Sequence, residues 1–276
     1  MLQRWLVAII GLPLLLGVLL ACPAWATMLL VCAIAGVAAY ELLHVAGKNV
    51  TKAVYGITVL FAAAQVMCLY KWDAGTEPMQ LLFRGPLPLV VCLFFAAVLT
   101  YGKPEAIPFS TVSAGIVGGA VFPMMYACIL LLRMQEPYGR VYVLAPFVIA
   151  FLGDSLSMYF GMWFGKKKMA PLVSPKKTWA GFWGGPLGSA LGMLLLGFIG
   201  TKWLGYPANY PLLALAGVVG NLLGQLGDLS MSLIKREAGI KDYSHLFLTH
   251  GGMLDRFDSS LFIAPVVYFF VSIGMI

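Results

Sequence analysis

A chain of 276 residues that is 61% hydrophobic and only 11% charged, with a mean hydropathy of +0.91, is not a soluble globular domain, because such domains carry about 25% charged residues. Its net charge of +7 gathers in a few loops. That placement suits anionic headgroups or phosphate-bearing substrates and gives no basis for a nucleic-acid partner.

The chain begins with MLQRWLVAIIGLPLLLGVLLACPAWA, whose basic start, apolar centre and Ala-Trp-Ala end imitate a secretory signal. Leu19-Leu20-Ala21-Cys22 also imitates a lipoprotein cleavage box. Many further apolar runs follow, and this one approaches the ~20 residues that a membrane crossing needs, so it is expected to be retained as a first span. The apolar runs predict helices over roughly 5–21, 26–46, 54–70, 87–101, 110–132, 142–165, 181–200, 210–234 and 257–276, the fourth being short for a span. No strands are expected, since the runs are too long and lack the alternation of a lipid-facing barrel. The fold class is therefore an all-α polytopic integral membrane protein with about nine transmembrane helices. Residues 1–140 would hold helices one to five. Residues 141–276 would form the catalytic region, with helices six to nine and two cytoplasmic loops.

Basic residues set the orientation. With the N-terminus inside, 13 of the 18 Lys and Arg residues face the cytoplasm, leaving Lys71, Arg84, Arg133, Arg140 and Lys202 outside. An N-in, C-out topology follows, with the active site facing the cytoplasm. Cys22, Cys32, Cys68, Cys92 and Cys128 lie in or beside apolar stretches without metal-type spacing and read as packing residues.

Two stretches break the apolar pattern. In the first, residues 153–185, Asp154 interrupts an apolar run, where a carboxylate costs about 2.5–3.5 kcal/mol unless paired or hydrated. Lys166, Lys167 and Lys168 read as an interfacial anchor. Lys176 and Lys177 stand between Pro175 and Thr178, directly before a Gly-rich helix entry at Gly181, Gly184 and Gly185. Ser174, Thr178 and the backbone N–H groups of a helix start offer hydrogen bonds to phosphate oxygens, and the paired lysines supply compact charge.

The second stretch starts inside the eighth helix. Asp228, Ser232 and Lys235 share one face there, with Arg236 beside them. Lipid cannot solvate such a stripe, which must face the bundle interior or a wet cavity. Lys241 and Asp242 follow, then His250-Gly251-Gly252 and Asp255-Arg256-Phe257-Asp258-Ser259. A helix starting near Leu254 would put Asp255 and Asp258 on one face. Several carboxylates beside cations suit Mg²⁺, which takes one or two carboxylates, waters and phosphate oxygens. Helix capping by Asp255 and Asp258, with salt bridges to Arg256, Lys235 or Arg236, is the structural alternative. His250 at a Gly-Gly turn also suits a simple hydrogen-bond donor.

GDLSMSLIKREAGIKDYSHLFLTHGGMLDRFDSS resembles the C-terminal signature of the phosphatidate cytidylyltransferase (CDP-diacylglycerol synthase) family, Ser-x-apolar-Lys-Arg, four residues, Lys-Asp, then His-Gly-Gly-x-x-Asp-Arg-x-Asp-Ser. SPKKTWAGFWGG resembles the family's other hallmark, Ser-Pro-Lys-Lys-Thr-x-Glu-Gly. Two departures stand out: Ala180 replaces the usual Glu, and Leu248-Thr249 replaces the usual Pro-Gly before the His. The resemblance implies that CTP and phosphatidic acid react to CDP-diacylglycerol and pyrophosphate at the inner (cytoplasmic) membrane of the cell. It assigns Asp228 and Asp255 to a divalent cation, with Asp258 or Asp242 in support. Lys176, Lys177, Lys235, Arg236, Lys241 and Arg256 would hold phosphates. Mg²⁺ is the implied cofactor, with room for a second cation, and a homodimer is common for such bundles. The Asp-x-x-Asp-Gly-x-x-Ala-Arg run of the CDP-alcohol phosphotransferases is absent. A CTP-dependent polyprenol or lipid kinase is the nearer alternative, and a cation transporter using Asp154 and Asp228 is the non-enzyme one.

Overall fold

The computed structural model describes residues 2–70, 85–247 and 251–276, with side chains from residue 10 onward. His250, Leu248, Thr249, Lys71 and Arg84 lie outside the described residues, as does the side chain of Arg4. The described chain is largely helical. The helices are α1 (Leu2–Leu20), α2 (Ala24–Ala46), α3 (Lys52–Tyr70), α4 (Pro86–Thr100), α5 (Phe109–Met134), α6 (Ala145–Phe164, entered through a helical turn at Gly139–Tyr142), α7 (Trp179–Leu204), α8 (Tyr210–Glu237) and α9 (Leu254–Ser272). Six helical stretches in the described residues are long and apolar enough to cross a membrane, Ala24–Ala46, Lys52–Tyr70, Phe109–Met134, Gly139–Phe164, Trp179–Leu204 and Tyr210–Glu237.

The expectation of no strands is corrected in one place. Residues between α6 and α7 form an antiparallel hairpin, β1 (Lys168–Ala170) with β2 (Ser174–Thr178), pairing Lys168 with Thr178 and Ala170 with Ser174. The hairpin lies outside the apolar runs, and pairing gives its backbone groups the partners they require. Thr178 then caps α7, its hydroxyl accepting from Gly181 N at 3.2 Å. This cap starts the helix two residues before the apolar run suggests. Gly205, at φ +66°, ends it.

The chain divides into two compact units, residues 1–130 with 237–256 and residues 131–236 with 257–276. In the first, α2 to α5 enclose a core that includes Leu43, Val54, Leu89, Leu93 and Val112. A π-helical turn at Val117–Val121 interrupts α5. Such a turn leaves backbone carbonyls without their usual partners, and Gln65 Nε2 donates to Gly119 O at 2.6 Å.

In the second unit, Leu132, Ile149, Met193, Leu213, Ile263 and Val267 belong to one buried core drawn from α5 to α9. Its helices touch through small residues, as membrane helices do when packing rather than water exclusion drives contact. A Cβ on Gly188 of α7 would lie 2.5 Å from Leu152 O of α6, and one on Gly217 of α8 would lie 2.7 Å from Ser189 O of α7. Both obstacles are backbone and cannot swing aside. Gly217→Val should therefore destabilise the protein by about 1–3 kcal/mol, read as a lower thermal midpoint in detergent. An unchanged midpoint would show that α7 and α8 do not pack this closely.

Candidate active site

Within the second unit, a cavity of about 530 Å³ opens between the C-terminal half of α6, the hairpin, the start of α7 and the middle of α8. Its polar lining comprises Asp154 and Ser157 from α6, Lys168 from β1, which the sequence had read as an interfacial anchor, Lys176, Lys177 and Thr178 from β2, and Gln225 and Asp228 from α8. Lys177 Nζ lies 2.6 Å from Asp228 Oδ2, and the two side chains are 24% and 32% exposed. Ser232 Oγ, one turn along α8, donates to Asp228 Oδ1 at 3.3 Å. Thus Asp228 receives a cation from the first charged stretch and a hydroxyl from the second.

Asp154 faces the cavity from α6. It lies within electrostatic range of both Asp228 and Lys177. Asp258, on α9, feels the charges of Asp228, Asp154 and Lys235. The approach of α8 to α9 has a local cause, since a Cβ on Gly227 would sit 2.8 Å from Asp258 O. Three carboxylates and two lysines, contributed by α6, α8, α9 and β2, thereby share one electrostatic neighbourhood. Lys235 itself is buried.

A neutral polar ladder supports the cavity wall. Gln225 Nε2 donates to Asn221 Oδ1 at 2.7 Å and to Phe182 O at 3.1 Å, and Ser157 Oγ donates to Gly181 O at 2.8 Å. The sequence reading missed Ser157, Asn221 and Gln225, although single amides inside apolar helices are a readable signal. Other expected residues have different tasks. Thr178's hydroxyl serves as the α7 cap, Ser174 begins β2, and Arg236 Nε donates to Val173 O at 3.3 Å, tying α8 to the hairpin turn. Lys176 is exposed at the cavity's edge.

In the first unit, the segment before α9 is built around two carboxylates. Asp255 Oδ2 accepts from Tyr243 N at 2.7 Å and Gly252 N at 2.9 Å, both outside α9, so this oxygen fastens the segment that precedes the helix. Glu41 of α2, only 2% exposed, accepts from Ser244 Oγ at 2.6 Å, Met253 N at 2.9 Å and Leu254 N at 2.8 Å. Glu41 is the other functional candidate that sequence reasoning passed over. Its signal was the same as Asp154's, a lone carboxylate in an apolar helix. Lys241, Asp242 and Arg256 are exposed.

Among the described residues, no three His, Cys, Asp or Glu side chains are grouped tightly enough to enclose a metal ion. Mg²⁺ does not need such a cage, because it keeps several waters and shares substrate phosphates. The hard oxygen donors of Asp154, Asp228, Ser157 and Gln225 around one cavity fit that mode of binding.

Apolar spanning helices and a lysine-carboxylate cavity among them define an integral membrane protein with an internal polar site. The match is more specific than that class. The model of the cytidylyltransferase family matches residues 2–274, and the chain belongs to this family. It is similar to the phosphatidate cytidylyltransferase of Staphylococcus epidermidis, 32% identical over 266 residues and 96% of each chain. It is also similar to that of Bacillus subtilis, 29% identical over 249 residues, covering 89% of this chain and 88% of the relative. A Rickettsia felis phosphatidate cytidylyltransferase is 35% identical over 163 residues, 58% of this chain and 71% of its own.

Proposed function

We propose that this chain is a CTP:phosphatidate cytidylyltransferase of the inner membrane, with the first and last helices included among nine spans, the N-terminus inside and the site facing the cytoplasm. The carrying observation is the cavity in which Lys177 and Asp228 meet, at the hairpin formed by the Ser-Pro-Lys-Lys-Thr segment. The name shared by relatives along the whole chain supports the same activity.

In the reaction, a lipid phosphate oxygen bonds to the α-phosphorus of CTP, and the bond from that phosphorus to the bridging oxygen breaks. Pyrophosphate leaves with the bonding electrons. The attacking oxygen is already ionised at neutral pH, so no strong base is required. The barrier is largely repulsion between two anions, which positioned positive charge lowers. Lys176 and Lys177 bind phosphate oxygens at the cavity, and Lys177 exchanges Asp228 for them as the nucleotide enters. Lys235, Arg236, Lys241 and Arg256 supply further cations for the lipid phosphate and the leaving pyrophosphate, with Ser174, Thr178, Ser232 and His250 as hydrogen-bonding groups. Asp228, with Asp154 beside it at the cavity and Asp258 in support, would hold Mg²⁺, and Asp255, with Asp242 in support, would serve a second cation where two ions are used. The ion would supply charge neutralisation at the phosphates. Acyl chains remain in the bilayer, and a homodimer is compatible with this chemistry.

Protein in detergent with Mg²⁺, phosphatidate and CTP should move label from the α-phosphate of CTP into a chloroform-soluble lipid and release pyrophosphate. Transfer of γ-label to a polyprenol instead would identify a lipid kinase. No labelled lipid from either position, with cation flux in vesicles, would favour the transporter reading.

A further inference from the structure

The Gly-Gly pair before α9 has a physical explanation in two carboxylates that approach it from different directions. Gly251 adopts φ +79°, a conformation that disfavours side chains, and a Cβ there would lie 2.7 Å from Asp255 Oδ2. A Cβ on Gly252 would lie 2.3 Å from Glu41 Oε1 and 2.7 Å from Glu41 Cδ. Gly251 therefore makes room for Asp255, and Gly252 for a residue some 200 positions earlier.

Burial of an ionised carboxylate in an apolar helix is costly without full hydrogen bonding. Glu41 has that bonding, because Oε1 accepts from Ser244 Oγ and Met253 N while Oε2 accepts from Leu254 N. The two amides stand at the opening of α9, where unpaired N–H groups and the helix dipole favour an anion. Gly252 N, immediately before them, is held by Asp255. Three consecutive amides, 252 to 254, are thus fixed by two carboxylates, one of which is assigned to cation binding under the proposed function.

We propose that Glu41 is a positioning residue for cytidylyl transfer, its carboxylate clamping Ser244 and the amides of Met253 and Leu254 so that the turn presents Asp255 in one orientation. This rests on the role given to Asp255 above. Glu41 is buried, and its carboxylate is engaged by these three donors. It acts by removing the freedom of the Gly251–Gly252 turn, which its two glycines would otherwise leave loose. A carboxylate is required rather than an amide, because all three partners donate. Glutamine would turn an NH₂ toward one of them.

The test compares Glu41→Gln, Glu41→Asp and the milder Ser244→Ala with the full-length parent in detergent. For Glu41→Gln, kcat should fall about tenfold or more, as for partners that orient ligating groups, with KM for CTP within about twofold of the parent. Hydrogen exchange over residues 252–255 should accelerate while exchange in α6 to α8 stays unchanged. Ser244→Ala, which removes one of three bonds, should show a smaller loss of the same kind, and Glu41→Asp should regain part of kcat. Parental kcat in Glu41→Gln, or a parallel loss of kcat, CTP affinity and thermal midpoint in Glu41→Gln with parental kcat in Ser244→Ala, would overturn the proposal. If Glu41→Gln fails to fold, a parental kcat in Ser244→Ala overturns it alone. Asp255→Asn separates the layers. Its inactivity beside a fully active Glu41→Gln removes only the clamp, whereas full activity in Asp255→Asn removes the reading beneath it.

Discussion

Asp228→Asn should lower kcat by about 100-fold or more, roughly 2.7 kcal/mol of transition-state stabilisation, while the protein remains folded. Asparagine keeps the shape of aspartate, so the packing of α8 is preserved and only the negative charge is lost. That charge is placed for more than structure. Asp228 lines the cavity, binds Lys177 at 2.6 Å and accepts from Ser232. A structural ion pair alone, partly exposed as this one is, contributes at most about 1 kcal/mol, and its loss would show as a small fall in thermal midpoint with kcat intact. A large fall in kcat without a comparable change in midpoint separates the chemical role from the structural one. The decisive measurement is steady-state transfer of labelled CMP to phosphatidate at saturating Mg²⁺. Undiminished turnover there would remove Asp228 from the cation site.

The helical runs were legible because lipid imposes a simple rule. A stretch that buries its own backbone and exposes apolar side chains must be a helix of sufficient length. The expected runs and observed helices accordingly differ mainly at their ends, where local chemistry decides. Thr178 moves the start of α7, and the turn at Gly252 to Asp255 starts α9 at Leu254. The stripe on α8 was legible from helical period, and the Asp228–Ser232 contact follows from it. Three features were not legible because their causes are distant in sequence. Lys177 reaches Asp228 across 51 positions, the hairpin depends on pairing rather than hydrophobic pattern, and Glu41 meets Met253 across 212. Residues 237–256 even belong to the compact unit of the first helices, which no local periodicity encodes.

Lys177→Met should raise KM for CTP by about tenfold, roughly 1.4 kcal/mol, and lower kcat as well. In the structure the ammonium already stands at the cavity, paired with Asp228, and an incoming phosphate takes the place of that carboxylate. A charge-assisted hydrogen bond of this kind contributes about 1.5–3 kcal/mol, which covers the expected loss in binding and leaves a remainder for the transition state. Methionine keeps the unbranched apolar stem of lysine and lacks only the ammonium, so β2 and the cap at Thr178 are undisturbed. Arginine at this position restores charge but spreads it over a planar fork, and Lys177→Arg should recover KM only in part. Ionic strength supplies an independent check. Added salt screens a lysine-phosphate attraction at this partly exposed position, so KM for CTP should rise with salt more steeply in the parent than in Lys177→Met. Equal salt dependence together with an unchanged KM would mean that Lys177 serves Asp228 alone and that the nucleotide is held by other cations.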